Sequence, residues 1–185
     1  MNTTIDTIMA RRSIRAFTPE ALTKEQTEAL VNVALTSPTA TNSLNWHFSF
    51  IQDTDIILEM EKDIVDGIMN GDIERFKERT KERGYKAVYD ATTFVIISAA
   101  PTKYSHIDAG IAVQSLAIAA KAMGLESVIL GLPALVFDGP KSEYWTKKLN
   151  FPEGFEFVIS IAIGHGAMQA PTEKTLDSSK VSFIS

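Results

Sequence analysis

The chain contains no cysteine. Disulfides, thiolate metal sites and a cysteine nucleophile are thereby excluded, although the compartment is not named by that alone. Histidine is nearly as scarce: the three present, His47, His106 and His165, lack metal-ligand spacing. Neither G-x-G-x-x-G nor G-x-x-x-x-G-K-S/T occurs, so neither a Rossmann nor a P-loop nucleotide site is supported. Long hydrophobic runs are missing too. The most apolar stretch, GIAVQSLAIAAKAMG, is interrupted by Gln114 and Lys121 and is too short to span a bilayer. The opening MNTTIDTIMARRS has no apolar core behind a basic start, so no signal peptide is read and a cytoplasmic location is expected. Positive charge is also short, with 18 Lys and Arg against 23 Asp and Glu and a net charge of −5. A broad nucleic-acid-binding face is excluded on that ground, and a local basic patch reads as a site for one anion.

What is present suits a single soluble domain over residues 1–185, with 45% hydrophobic and 22% charged residues and no repeat or linker. A first helix is expected from Thr4 to Arg11. Thr23 and Gln26 form a capping box ahead of a second, with Leu30, Val31, Ala34 and Leu35 at helical spacing. WHFSFIQD (46–53) alternates like a strand, and helices follow near 54–69 and 72–83. The latter carries only Ile73 and Phe76 as apolar residues. Its Arg75–Glu78 and Arg79–Glu82 spacings predict weak ion pairs. TFVIISA (93–99) reads as a strand covered on both faces. Residues 106–124 are apolar around most of a helical circumference, which predicts a central helix capped by Ser105 and ended at Gly124. ESVILGL (126–132), a short helix near 141–149 and FEFVISIAIG (155–164) complete the pattern, and the tail KVSFIS has strand character. The class is α+β, with a central mixed, mainly antiparallel sheet of four to five strands flanked by helices.

Three stretches could carry chemistry. In MARRSIRAFTPE, Arg11, Arg12, Ser13 and Arg15 offer guanidinium forks and a hydroxyl suited to a terminal phosphate. A solvated turn paired with Asp6 or Glu20 explains the same residues. PTATNSLNW (38–46) offers donors and acceptors that could surround a heteroaromatic edge, or could simply satisfy its own backbone. In the apolar helix, Asp108 is explained by capping and the helix dipole. GHG (164–166) reads as a close backbone turn.

Taken in order, RRSIRAF, SPTATNSLNW, YDATTFVIISA leading into IDAGIAVQSLAIAAKAMGLES, and ISIAIGHG resemble the FMN-dependent nitroreductase family over nearly the whole chain. The resemblance implies a homodimer with two FMN sites at the subunit interface and C-terminal strands exchanged between partners. It implies that Arg11, Arg12 and Ser13 grip the phosphate and ribityl chain, and that Arg15 lies beside the N1–C2 carbonyl edge, where it stabilises the reduced flavin. Pro38, Thr39, Ala40 and Asn42 become contacts to the other subunit's flavin, Gly131 sets backbone against the ring, and Lys174 assists at the phosphate. Two departures stand out: Leu44 and Asn45 replace the family's Gln-Pro, and TEKTLD offers Lys174 without a neighbouring arginine.

The expected activity is therefore electron transfer from NADH or NADPH through FMN to a small acceptor, a nitroaromatic or quinone, by a ping-pong scheme. A specialised flavin reaction such as reductive dehalogenation or flavin fragmentation is the alternative within enzymes. A flavin-binding module without turnover and an acidic scaffold with surface-paired arginines are the alternatives outside them. Residues 66–90 are the candidate substrate lid.

Overall fold

A computed structural model describes residues 3–172 and 175–184. The capping box forms as its residues dictate. Gln26 N donates to Thr23 Oγ1 at 3.2 Å and Thr23 N donates to the Gln26 side chain at 2.8 Å, opening α2 (Lys24–Thr36). It is preceded by α1 (Thr3–Ala10), which ends just before the arginine cluster. β1 (Trp46–Ile51) leads to α3 (Thr54–Asn70), capped by Asp53, and to the charged α4 (Glu74–Glu82), where only Thr80 is buried. β2 (Thr93–Ala99), α5 (Ser105–Ala122), β3 (Glu126–Leu130), α6 (Ala134–Phe137), α7 (Ser142–Lys148) and β4 (Glu156–Gly164) complete the order.

The strands form one sheet in the order β1-β2-β4-β3, and all three pairings are antiparallel. The only parallel contact among the described residues is the Ser13–Ser127 bridge, so the expected mixed character shrinks to that one junction. Burial on both faces explains the unbroken apolar run of β2. Phe94 and Ile96 join the core under α3 and α7, with Trp145 and Met60, while Val95 and Ile97 join the core under α5, with Leu116 and Leu30. Among the described residues no helix is long and apolar enough to cross a membrane.

Four sequence expectations require correction. Ser105 does not cap α5 as an N-cap, because it already lies inside the helix. Its hydroxyl instead accepts from Thr102 N at 2.7 Å and donates to Ala100 O, closing the preceding turn. α5 is not buried around its circumference: one side packs on the sheet, while Ile107 (58%), Gly110 and Ile111 (38%) face outward. The ion pairs Arg75–Glu78 and Arg79–Glu82 do not form. On α4 the described pair is Lys77–Glu74 at 3.6 Å, and Arg75 lies over the Phe76 ring instead. Residues 181–184 form no strand within the chain, and Phe183 and Ile184 are about 95% exposed.

Candidate active site

The arginine segment is placed by close backbone contact with β3 and the end of β4. Ile14 N donates to Ser127 O at 3.0 Å, Thr18 N to His165 O at 2.8 Å, and Ala167 N to Ala16 O at 2.8 Å. The GHG turn permits this approach. A Cβ on Gly164 would sit 3.1 Å from the Phe17 ring, and one on Gly166 would sit 2.9 Å from Glu126 Cγ. The local β contacts therefore hold Ser13 against β3 and leave Arg15 at the surface.

Arg15 and Gly131 meet in one hollow of about 220 Å³. Gly131 follows the last residue of β3, and a Cβ there would meet nothing within 4 Å, so open space lies directly over its backbone. Ile68, Phe76 and Leu132 supply an apolar wall. Thr80, Arg79, Arg83 and Tyr89 bring α4 and the segment after it to the same hollow, so the stretch expected as a lid forms one side of the cleft. Sequence reasoning missed Arg79 and Arg83, placing Arg79 in an ion pair with Glu82 and giving Arg83 no role. Their i,i+4 spacing beside Phe76 was the available signal.

The other predicted residues divide. Arg15 Nη1 donates to Ser13 O at 3.3 Å, and its backbone N–H points to Met168 Sδ at 3.2 Å. Arg12 turns back on α1, its Nη1 donating to Met9 O at 2.5 Å and Arg11 O at 2.9 Å, where it satisfies carbonyls at the helix end. Arg11 is half-buried. No described ion pair joins Arg11 or Arg15 to Asp6 or Glu20. Glu20 instead lies 3.7 Å from His165 Nε2. Lys174 lies outside the described residues.

Pro38, Thr39, Ala40 and Asn42 stand elsewhere, in the loop before β1. That loop holds three non-glycine residues in the left-handed region: Thr41 at φ 57°, Asn42 at 54° and Leu44 at 50°. It is pinned by Thr39 Oγ1, which accepts from Leu44 N at 3.0 Å, and by Asp108 of α5, whose Oδ1 accepts from Ala40 N at 3.0 Å. Asp108, read from sequence as a helix-dipole residue, thus anchors the loop. Asn42, Leu44 and Asn45 are exposed. The loop abuts Trp46, at the start of one edge strand, whereas the arginine segment bridges Ser127 on the opposite edge strand. A single chain does not bring the two halves together.

A second polar anchor shapes the cleft wall. Glu61 of α3 is 7% exposed, and its Oε1 accepts from Ala87 N at 2.7 Å, Val88 N at 2.6 Å and Tyr89 N at 3.3 Å. Tyr89 in turn accepts from Arg83 Nη1 at 2.9 Å, and its carbonyl accepts from Phe17 N at 3.2 Å. His47, in β1, is held below its ordinary value of 6.5 by burial and lies far along the sheet from this cleft. The described residues include no group of three or more His, Cys, Asp or Glu able to hold a metal ion.

Comparison with known proteins agrees with this architecture. A solved nitroreductase with bound FMN from Desulfitobacterium hafniense DCB-2 superposes with a TM-score of 0.95 at 27% identity, covering 100% of both chains. An FMN-dependent nitroreductase from Clostridium difficile R20291 gives 0.82 at 25% identity, covering 99% of each chain. An FMN reductase (NADPH) of Bacillus subtilis (strain 168) is 28% identical over 90% of this chain and 67% of its own length. The Nitroreductase family profile matches residues 8–165, and the chain belongs to that family.

Proposed function

We propose that the cleft at Arg15 and Gly131 holds FMN, and that the protein is an NAD(P)H-dependent oxidoreductase acting on a small acceptor such as a nitroaromatic or quinone. One observation carries this reading: an exposed arginine and unobstructed space over a glycine backbone share the same hollow. A flat ring needs that space, and its carbonyl edge needs that charge. When bound, FMN supplies the redox chemistry, accepting hydride from the reduced nicotinamide and giving electrons to the acceptor. The chain's own work is binding and polarisation. Arg15 contributes a permanent positive charge that stabilises the reduced cofactor. Arg11 and Ser13 bind the phosphate, with Lys174 as a further cation. Arg12 stiffens the end of α1 from which the others project. No side-chain nucleophile or acid–base pair is required, which agrees with a cleft lined by arginines, apolar groups, a threonine and a tyrosine.

The protein acts as a homodimer. The Pro38–Asn42 loop and the arginine segment sit on opposite edges of the sheet, so the loop reaches a cofactor only in a partner subunit. Outward-facing Ile107, Gly110 and Ile111 on α5, together with the bare Phe183 and Ile184, provide apolar surface and a tail for that association. Reductant and acceptor use one face in turn, which gives ping-pong kinetics. The cytoplasm, where reduced nicotinamide is held, is the site of action. The visible absorption spectrum of the purified protein, recorded before and after anaerobic NADPH, tests the whole reading. A yellow protein that bleaches is expected. A preparation that stays colourless after incubation with FMN refutes it, and intersecting double-reciprocal lines refute the shared face. Arg11→Ala lowers flavin content, and Arg15→Ala slows bleaching.

A further inference from the structure

Among the described residues, three arginines line the cleft, Arg15, Arg79 and Arg83, and no aspartate or glutamate does. This happens in a chain of net charge −5 and on a helix that also carries Glu74, Glu78 and Glu82. Neither Arg79 nor Arg83 makes an ion pair among the described residues, whereas the neighbouring Lys77 pairs with Glu74. Arg79 lies in the last turn of α4 and Arg83 caps that helix, its N–H donating to Arg79 O at 3.2 Å, so the two like charges stand one turn apart beside the same hollow. Arg83 is already positioned. One N–H goes to Tyr89 Oη at 2.9 Å, and its guanidinium carbon stands 5.7 Å from the Tyr89 ring centroid, leaving its other donors available. Arg79 is exposed at the rim. Below them Phe76, Ile68 and Leu132 are apolar.

We propose that Arg79 and Arg83 form an anion subsite at the cleft rim, selecting a reaction partner that carries a carboxylate or a phosphate monoester. This rests on the assignment of the same cleft to the flavin, where Arg15 is committed to the cofactor and Arg79 and Arg83 remain for its reaction partner. Guanidinium forks suit both oxyanions. The anion has two sources: an acid group on the acceptor, or the extra phosphate that distinguishes NADPH from NADH.

Calorimetric titration of the FMN-loaded protein with benzoate and with its neutral counterpart benzamide reads the subsite without turnover. Benzoate is expected to bind about tenfold more tightly, as one or two partly exposed charge-assisted hydrogen bonds provide, and the advantage should shrink as salt is raised. Arg79→Gln alone, which leaves the Tyr89 contact untouched, should cut that advantage roughly threefold. Arg79→Gln with Arg83→Gln should abolish it, and Arg79→Lys should retain most of it. Two kinetic comparisons then separate the sources. A kcat/KM preference for 4-nitrobenzoate over 4-nitrobenzamide assigns the anion to the acceptor, and a preference for NADPH over NADH assigns it to the reductant. Equal affinity for benzoate and benzamide overturns the proposal. So does loss of bound flavin in the double variant, because the arginines would then serve the cofactor. A protein that takes up no FMN overturns the flavin reading instead, and the benzoate titration on that protein still decides the subsite.

Discussion

Removing the Glu61 side chain should loosen one wall of the cleft and lower the stability of the whole domain. Glu61 Oε1 accepts three backbone N–H groups of residues 87–89, two of them at 2.6–2.7 Å and one at 3.3 Å. All four residues are buried, so water does not replace the lost acceptor freely. An orphaned buried donor costs about 1–3 kcal/mol, and the two short contacts dominate, so Glu61→Ala should cost about 4 kcal/mol. For a chain of this length each kcal/mol moves Tm by about 2–4 °C, which gives a drop of roughly 8–16 °C. Glu61→Gln keeps one carbonyl acceptor but loses the charge assistance, and should cost roughly 1–2 kcal/mol. Differential scanning calorimetry measures the loss, and amide hydrogen exchange locates it. Exchange should accelerate at Ala87, Val88 and Tyr89 ahead of β2. A Tm drop below about 2 °C for Glu61→Ala, with protection at these amides unchanged, would refute the reasoning.

Asp63 joins α3 to α7 through Lys141 Nζ at 2.5 Å and the buried Trp145 Nε1 at 2.9 Å. Asp63→Ala should cost about 2–4 kcal/mol by urea unfolding and Lys141→Ala far less, because the lysine end is exposed; equal losses would contradict this. Burial depresses the His47 pKa below 6.5, so the unfolded chain takes up its proton first as pH falls. Stability should therefore decline as pH drops from about 6.5 towards the lowered folded value, and His47→Phe should flatten that limb; an identical pH profile for the variant would exclude His47 as the cause. Thr23→Ala removes one arm of the capping box and should cost about 1 kcal/mol, read from the chemical-denaturation midpoint; no change would show that α2 is held by packing alone.

The parts of the fold legible in the sequence are those in which side-chain pattern and burial coincide. TFVIISA announces β2 because residues on both of its faces meet a core, and Thr23 with Gln26 announces α2 because the cap is local chemistry. α6 spans only Ala134–Phe137, too short to show a period. The Ala40–Asn42 turn escapes for another reason: its left-handed backbone falls on Thr41 and Asn42, with no glycine to mark it. In the site, Arg15 and Gly131 line one hollow although 116 residues separate them in the chain. Glu61 was invisible because its partners lie 26–28 residues away and a glutamate between Met60 and Ile64 reads as a helix-surface residue. Arg79 was misread because a glutamate three residues on looks like an ion-pair partner, whereas the arginine lines the cleft.

α5 touches both halves of the candidate site. Near its first turn Asp108 holds the Ala40 backbone, and near its last Lys121 pairs with Glu126, next to the Ser13–Ser127 bridge. Between those two points lie thirteen helical steps, a span of about 20 Å. The helix is thus a ruler as well as a filler. Deleting one residue inside it would swing one end by about 100° against the other and shorten the span by about 1.5 Å, displacing loop and arginines together. Surface connections can lengthen or shrink over evolutionary time with little penalty, whereas the residue count between Asp108 and Lys121 is pinned by geometry at both ends.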